Sequence, residues 1–270
     1  MEARLVIKPQ RSRSESGSIP YMKWARLIAL ACVATVAIMP THGAHAANGA
    51  FAVDAADISE VGSCKLESWI STATNTDFSL VANPSCVVDV GKPMELSMLS
   101  SRSRSDGDWS TAFQPKAKTN LVPTGIGKVG FSIYGGSSFD VLTGDNLGAF
   151  AVVPVTYRIS ETMRINLNGG WLWDRILDRN YLTYGIGWDW KFTDVLQLTV
   201  EAFGQAGPAG VPSITKPRFQ TGVRYRPNDV FSIDLIYGRN IQGENANWIT
   251  LGTTIRFPPP ESTPKRVGNL

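Results

Sequence analysis

The sequence predicts an all-β protein, a single antiparallel up-and-down barrel of about 12 strands, and three observations support this fold class. From residue 64 onward the chain repeats segments of 10 to 14 residues in which apolar and polar side chains alternate, as they do on the two faces of a strand. Turn residues separate these segments. A hairpin centred on Asp194 should set Lys191 opposite Gln197 and Gly187 opposite Glu201, and one centred on Asn228 should set Arg224 opposite Ser232. None of the segments carries the apolar i, i+3, i+4 stripe of an amphipathic helix. We predict strands at 64–73, 77–90, 93–104, 109–122, 128–140, 146–159, 162–174, 180–192, 195–206, 216–226, 230–241 and 246–257.

The last predicted strand shows the pattern plainly. Counting back from Phe257, every second residue is Phe, Ile, Thr, Leu and Ile, which makes one face apolar. The other face is mostly polar and carries Arg256, Thr254, Gly252, Thr250 and Trp248. Three prolines follow at 258–260, and proline cannot donate to a ladder, so the strand ends there. We expect this strand to pair with residues 65–72 of the first strand and to close the sheet.

The two faces of the predicted sheet leave two kinds of protein open. A transmembrane barrel turns its apolar face to lipid, whereas a soluble sandwich or a lipocalin-like binder packs that face inside. The apolar face concentrates aromatic residues near strand ends, which is typical of the girdles of a membrane barrel. The other face carries charges on nearly every strand, which favours the same interpretation: Glu95, Lys116, Lys118, Arg158, Arg164, Asp189, Lys191, Glu201, Arg218, Arg224, Asp234 and Arg256.

Residues 1–46 have the pattern of a cleavable signal peptide. Lys23 and Arg26 precede an apolar run at 27–39, and Ala44 and Ala46 form a small-x-small cleavage site. The run is too short for a spanning helix, which needs about 20 residues. Because the basic stretch before the run is long, Met22 is an alternative start. We interpret 47–63 as a flexible periplasmic lead, 64–257 as the barrel and 258–270 as a Pro-rich tail.

Cleavage after residue 46 would change the charge and the chemistry of the chain. It removes six of 26 basic and two of 23 acidic residues, which leaves 20 against 21 and no basic footprint for a nucleic acid. Both histidines, His42 and His45, are also removed. Envelope enzymes commonly need a histidine base, so we predict a protein that is not an enzyme and has no metal or cofactor. Glu201 and Asp234 are the only carboxylate pair that we consider as candidate catalytic groups.

Two cysteines remain in the predicted mature chain, Cys64 and Cys86. A hairpin centred on Asn75 places them directly opposite each other, and an exported chain meets an oxidising compartment. We predict a disulfide that clamps the first hairpin. Two unrelated buried thiols are the alternative.

The predicted lumen is polar and of mixed charge, because twelve strands enclose less space than the sixteen of a wide porin. Arg158 and Arg164 should face each other across a short hairpin, either as an anion-attracting constriction or as a network neutralised by Asp189 or Glu161. Glu201 should face Gly185 and Gly187, which lack side-chain bulk and leave space near mid-barrel. The candidate lumen residues are Lys116, Arg158, Arg164, Asp189, Glu201, Arg224 and Asp234.

The stretches Asn168–Asp174, Phe203–Gly207 and Ile236–Trp248 resemble those of outer-membrane barrels grouped with the family named for the MetA pathway of phenol degradation. The Pro-rich tail departs from that pattern. The resemblance implies a Gram-negative outer-membrane channel for small solutes, including aromatic or hydrophobic compounds. Its partners would be outer-membrane lipid, the barrel-assembly machinery and the solute. A non-conducting structural barrel that acts through its surface loops is the second hypothesis.

Overall fold

The computed structural model describes residues 50–105, 107–207, 217–242 and 245–259, and it contains all twelve predicted strands. Every strand bound lies within two residues of the predicted one. The strands are β1 Cys64–Ala73, β2 Phe78–Asp89, β3 Pro93–Ser105, β4 Asp108–Val122, β5 Val129–Asp140, β6 Asn146–Arg158, β7 Met163–Asp174, β8 Arg179–Lys191, β9 Leu196–Ala206, β10 Arg218–Tyr225, β11 Phe231–Asn240 and β12 Asn247–Phe257.

Several predictions concern residues outside this description. The signal peptide at 1–46, the alternative start at Met22 and most of the tail at 258–270 lie outside the described residues. Within the described ranges, no helix is long and apolar enough to cross a membrane.

The twelve strands form one closed antiparallel barrel in which each strand pairs with its neighbours in sequence and β12 returns to β1. The closing pair has the predicted partners, with Lys65 opposite Arg256 and Thr72 opposite Ile249. Because the strand number is even, β1 begins and β12 ends at the same end of the barrel, which we call the terminal end. The opposite end, which carries the link 207–217, is called the loop end.

The outward surface of the barrel is apolar and exposed. Leu182, Leu235 and Ile249 are each more than half exposed, although a soluble protein would bury such side chains together. Exposed aromatic residues lie toward both ends of the strands: Tyr157, Trp190, Phe192, Tyr225 and Phe257 near the terminal end, and Trp171, Tyr184 and Tyr237 toward the loop end. This surface fits a bilayer, with an apolar belt between two aromatic girdles.

Two of the predicted hairpin registers are confirmed. Cys64 lies opposite Cys86 and the two sulfur atoms are bonded. In the β8–β9 hairpin, Lys191 lies opposite Gln197 and Gly187 opposite Glu201.

The predicted register of the β10–β11 hairpin is wrong by two residues. Centring it on Asn228 sets Arg224 opposite Ser232, whereas the structure pairs Arg224 with Asp234. The turn is longer because the Asn228 side chain accepts hydrogen bonds from the backbone N–H groups of Val230 and Phe231. The observed register also brings the Arg224 guanidinium onto the Asp234 carboxylate.

The described part of the expected periplasmic lead differs most from the prediction. Residues 50–57 do not extend away from the barrel but lie inside it, with Val53, Ala55 and Ala56 fully buried. They form no strand, so their backbone groups depend on the barrel wall for hydrogen bonds. We call residues 50–57 the luminal segment.

Candidate functional site: the barrel lumen

The lumen is lined by charged and polar side chains that are mostly paired. All seven predicted lumen residues point inward, and Asp189, Glu201, Arg224 and Asp234 are almost completely buried. Arg224 binds Asp234 through two contacts, Nε to Oδ1 at 2.6 Å and Nη2 to Oδ2 at 2.9 Å. Glu201 and Asp234 therefore have different partners in the described structure and do not form the carboxylate pair considered above.

A second ion-pair group joins β1 to β3 across the inner face of β2. The Lys65 ammonium lies 3.4 Å from Glu67 and 3.2 Å from Glu95, and all three side chains are buried. Such a group fixes the wall rather than opening a path, because a buried charge separated from its partner is costly.

At the terminal end, Arg158 lies opposite Arg164 as predicted. The acid between them comes from the luminal segment: Asp57 Oδ2 is 3.3 Å from Arg158 Nη2 and 3.2 Å from Arg164 Nη1. Arg164 also binds Asp189, with Nε to Oδ2 at 2.6 Å. Of the two hypotheses for this arginine pair, the structure contains the neutralised network, and Asp57 joins the predicted Asp189 in it.

Positive charge nevertheless gathers around this end. Arg226, on the link after β10, is partly enclosed, and that burial together with the charges of Arg224 and Arg164 lowers its pKa. Asp229 and Asp234 act in the opposite direction and offset part of this effect.

Glu201 holds the luminal segment at mid-barrel. Its carboxylate accepts hydrogen bonds from the Ala52 N–H at 2.9 Å, from the Val53 N–H at 3.2 Å and from Gln220 Nε2 at 2.6 Å. Hydrogen bonds to a charged acceptor contribute about 1.5–3 kcal/mol each. Glu201 is thus a docking group for the backbone of the segment.

Four further wall residues bind the backbone of the segment. Lys118 Nζ donates to Ala55 O at 2.6 Å, and Asn120 Nδ2 donates to Ala56 O at 2.8 Å. Thr156 Oγ1 accepts from the Ala56 N–H at 2.8 Å. Asn168, with its amide in the orientation that satisfies both groups, donates to Asp54 O and accepts from the Asp54 N–H, each at 2.8 Å. Hydrogen bonds from side chains of the barrel wall therefore take the place of the strand pairing that the segment lacks.

The space left by Gly185 and Gly187 is occupied by Val53. A Cβ at Gly185 would lie 2.9 Å from Val53 Cγ2, and a Cβ at Gly187 would lie 3.3 Å from Val53 Cβ. The predicted gap near Glu201 exists in the wall, and a side chain of the same chain fills it. On β10, two strands away, the Arg224 guanidinium lies 5.5 Å from the centre of the Phe51 ring.

Toward the loop end, the lumen widens into a chamber of about 410 Å³ whose lining includes Ala52. Lys116 and Arg218 are the charged residues of its lining, which contains no Asp or Glu. The remaining inward residues are polar or apolar: Gln114, Tyr134, Phe150, Val152, Asn168, Leu172, Thr183, Gly185, Phe203 and Gln205. A neighbouring cavity of about 350 Å³ shares Arg218 and includes Arg104, Asp77 and Trp248.

Sequence reasoning missed the luminal segment and its anchors. The segment has no regular secondary structure, so a search for periodicity passes over it. One signal was present: Phe51, Val53 and Ala55 place apolar side chains at alternate positions beside Asp54 and Asp57. The described residues contain no group of His, Cys, Asp and Glu side chains placed to hold a metal ion.

The closed barrel, its apolar belt and its polar lumen define a β-barrel of the bacterial outer membrane. A family model matches residues 35–257, and the chain belongs to that family, described as uncharacterised conserved protein UCP029691. The match does not confirm the resemblance to the family of the MetA pathway. A comparison with curated proteins finds no match.

Two solved structures illustrate the shared fold. The NanC porin is 7% identical, with a TM-score of 0.56, and the match covers 70% of this chain and 98% of the porin. The COG4313 outer-membrane channel from Pseudomonas putida F1 is 10% identical, with a TM-score of 0.54 and coverage of 75% and 98%. At these identities the likeness shows the fold alone.

Proposed function

We propose that this barrel is an outer-membrane channel for small solutes and that the luminal segment opens and closes it. The observation that carries the proposal is the chamber of about 410 Å³ whose lining includes Ala52 of that segment. This chamber has the volume and the mixed polar and apolar lining of a ligand site, which typically measures about 300–1,000 Å³. In this proposal the terminal end faces the periplasm, because an exported chain enters the membrane from that side.

The luminal segment is suited to movement because it is not part of the sheet. It is held by side chains of the wall, and water can replace those hydrogen bonds one at a time. The strands, in contrast, keep every ladder bond when the segment leaves. Release of residues 50–57 would therefore connect the chamber with the terminal end without unfolding the barrel.

The nature of the solute is a finer part of the proposal. Phe150, Phe203 and Tyr134 face the chamber and support passage of compounds with an apolar or aromatic part. Transport, and not catalysis, is the role that we assign to the lumen.

A non-conducting structural barrel is the second candidate. It is favoured by the filled state of the lumen. The buried network of Lys65, Glu67 and Glu95 and the seated luminal segment together occupy the part below the chamber, toward the terminal end. In that case the segment would be a permanent part of the core.

A reversible lock separates the two candidates. The Cβ atoms of Val53 and a residue at 187 would lie 3.3 Å apart, close to the separation of about 3.5–4.5 Å that a disulfide needs. We expect the Val53→Cys/Gly187→Cys variant, reconstituted in a planar bilayer, to be silent when oxidised and to conduct after addition of a reductant. A variant without residues 50–57 should conduct continuously.

Each single cysteine variant and the reduced wild-type protein are the controls, since the reductant also reaches the Cys64–Cys86 bond. Heat-dependent gel mobility shows that every variant is folded. If the barrel without residues 50–57 is folded and remains silent, the channel hypothesis is rejected and the structural barrel is supported.

A further inference from the structure

The chamber at the loop end carries an unbalanced charge. Lys116 and Arg218 line it, and its lining contains neither Asp nor Glu. The acids that attract these cations lie outside it: Asp54 of the luminal segment and Glu95 of β3 attract Lys116, and Asp77 of the neighbouring cavity attracts Arg218. The surface that a solute meets inside the chamber is therefore positive.

The two cations also keep donors available. No carboxylate among the described residues lies within ion-pair distance of Lys116 or Arg218. The Arg218 Nε is buried and has no hydrogen-bond acceptor in the described part of the chain. A guanidinium with an unused buried donor fits a carboxylate, because the two groups match in charge and in planar geometry.

The remaining wall selects the body of the solute. Lys116 lies on β4 and Arg218 on β10, six strands apart in a ring of twelve, so they face each other across the lumen. The arc between them carries Tyr134, Phe150 and Phe203. The Lys116 ammonium lies 5.1 Å from the centre of the Tyr134 ring, so a cation and an aromatic ring are side by side in the chamber wall. Rings that face a cavity stack favourably on an aromatic guest.

From this arrangement we propose that the chamber binds small aromatic carboxylates, with the carboxylate on Lys116 or Arg218 and the ring against Tyr134, Phe150 and Phe203. The inference rests on the proposed function and names its substrate class. Binding itself needs no passage through the barrel, since the chamber is formed while the luminal segment is in place.

Titration calorimetry on the folded full-length barrel in detergent tests this site, with benzoate, benzamide, benzylamine and acetate as probes. We expect benzoate to bind at least about tenfold more tightly than its neutral isostere benzamide, because a charge-assisted hydrogen bond is lost. Benzylamine should bind least. Acetate should bind more weakly than benzoate, since it offers no ring.

Variants assign the binding to the two cations. Of Lys116→Gln and Arg218→Gln, the variant that removes the cation holding the carboxylate should weaken benzoate binding about tenfold. Lys116→Arg and Arg218→Lys should retain most of it and show that the chamber is still formed. Lys128→Gln removes the same charge at an exposed position outside the chamber and should have no effect.

The outcomes separate this inference from the proposed function. Equal binding of benzoate and benzamide, or wild-type affinity in both glutamine variants, overturns the inference even when the barrel conducts neutral solutes. Equal binding of acetate and benzoate overturns the part assigned to the rings. Charge-dependent binding by a barrel that stays silent in the bilayer even without residues 50–57 supports the site and rejects the channel.

Discussion

Val53 of the luminal segment lies against Gly185 of β8, and a Cβ at Gly185 would be only 2.9 Å from Val53 Cγ2. Real Cβ atoms do not approach a neighbour so closely. The absence of a side chain at residue 185 is therefore a condition for seating Val53, and this contact offers a way to displace the segment without touching its hydrogen bonds.

Gly185→Ala should push the luminal segment outward and raise the open fraction of the channel. Overpacking a filled site costs about 1–3 kcal/mol, so the equilibrium between seated and released segment should shift by about 5- to 150-fold. Single-channel recording measures the open fraction directly.

The Val53→Ala change in the Gly185→Ala background should restore the closed state, because it removes the methyl groups that clash. Gly169→Ala is the matched control, since a Cβ there would meet nothing within 4 Å. An open fraction that is unchanged by Gly185→Ala would contradict the seating of Val53 against β8.

The strands were predictable because a two-residue period repeats over ten or more residues in each. Inward charges such as Asp189 and Glu201 and the closing pair of β1 with β12 follow from that period, so the fold needed no tertiary information. The β10–β11 register failed because the side chain of Asn228 extends the turn, a local hydrogen bond that periodicity does not contain.

The luminal segment was not predictable in the same way. Its conformation is set by contacts with Glu201, Lys118 and Asn168, which lie on three different strands and are distant in sequence. The sequence indicated a gap at Gly185 and Gly187 and an arginine pair in need of an acid. It could not show that residues 53 and 57 supply both.

Glu201→Ala should release the luminal segment more strongly than the change at residue 185. It removes the acceptor of the Ala52 and Val53 N–H groups and leaves the buried Val53 donor without this acceptor, at a cost of about 1–3 kcal/mol. The measurement is cysteine labelling: Val53→Cys, which is buried while the segment is seated, should react with a water-soluble maleimide faster in the Glu201→Ala background.

Glu201→Gln is the informative companion, because an amide keeps one acceptor oxygen: it can accept from Ala52 and Gln220 and turn its nitrogen toward the Val53 N–H. We expect labelling between that of the wild type and that of Glu201→Ala. Equal labelling of Val53→Cys in all three backgrounds would show that Glu201 does not hold the segment.

Replacing the cysteines should lower stability without changing conduction. The bond joins residues 22 apart, and closing a loop of that size stabilises a fold by about 3 kcal/mol in the chain-entropy model. The Cys64→Ser/Cys86→Ser variant should therefore unfold at a lower urea concentration in detergent, as followed by heat-dependent gel mobility. Its conductance should match the wild type, since Cys86 is exposed on the outer surface and lies outside the chamber.

Asp57→Asn should change both the closing and the ion selectivity of the barrel. The neutral amide no longer offsets Arg158 and Arg164, which lie opposite each other at the terminal end. Asp189 still meets Arg164, so the uncompensated charge falls mainly on Arg158. A mouth with an exposed cation concentrates anions, because charges of one sign in a narrow opening focus the field.

The reversal potential under a KCl gradient measures this selectivity. We expect Asp57→Asn to shift it toward chloride, and the Asp57→Asn/Arg158→Gln double variant to return it toward the wild-type value, since one acid and one cation are then removed together. The shift should shrink in molar salt, since screening acts within about 3 Å there. An unchanged reversal potential in the single variant would show that Asp57 does not set the charge of the mouth.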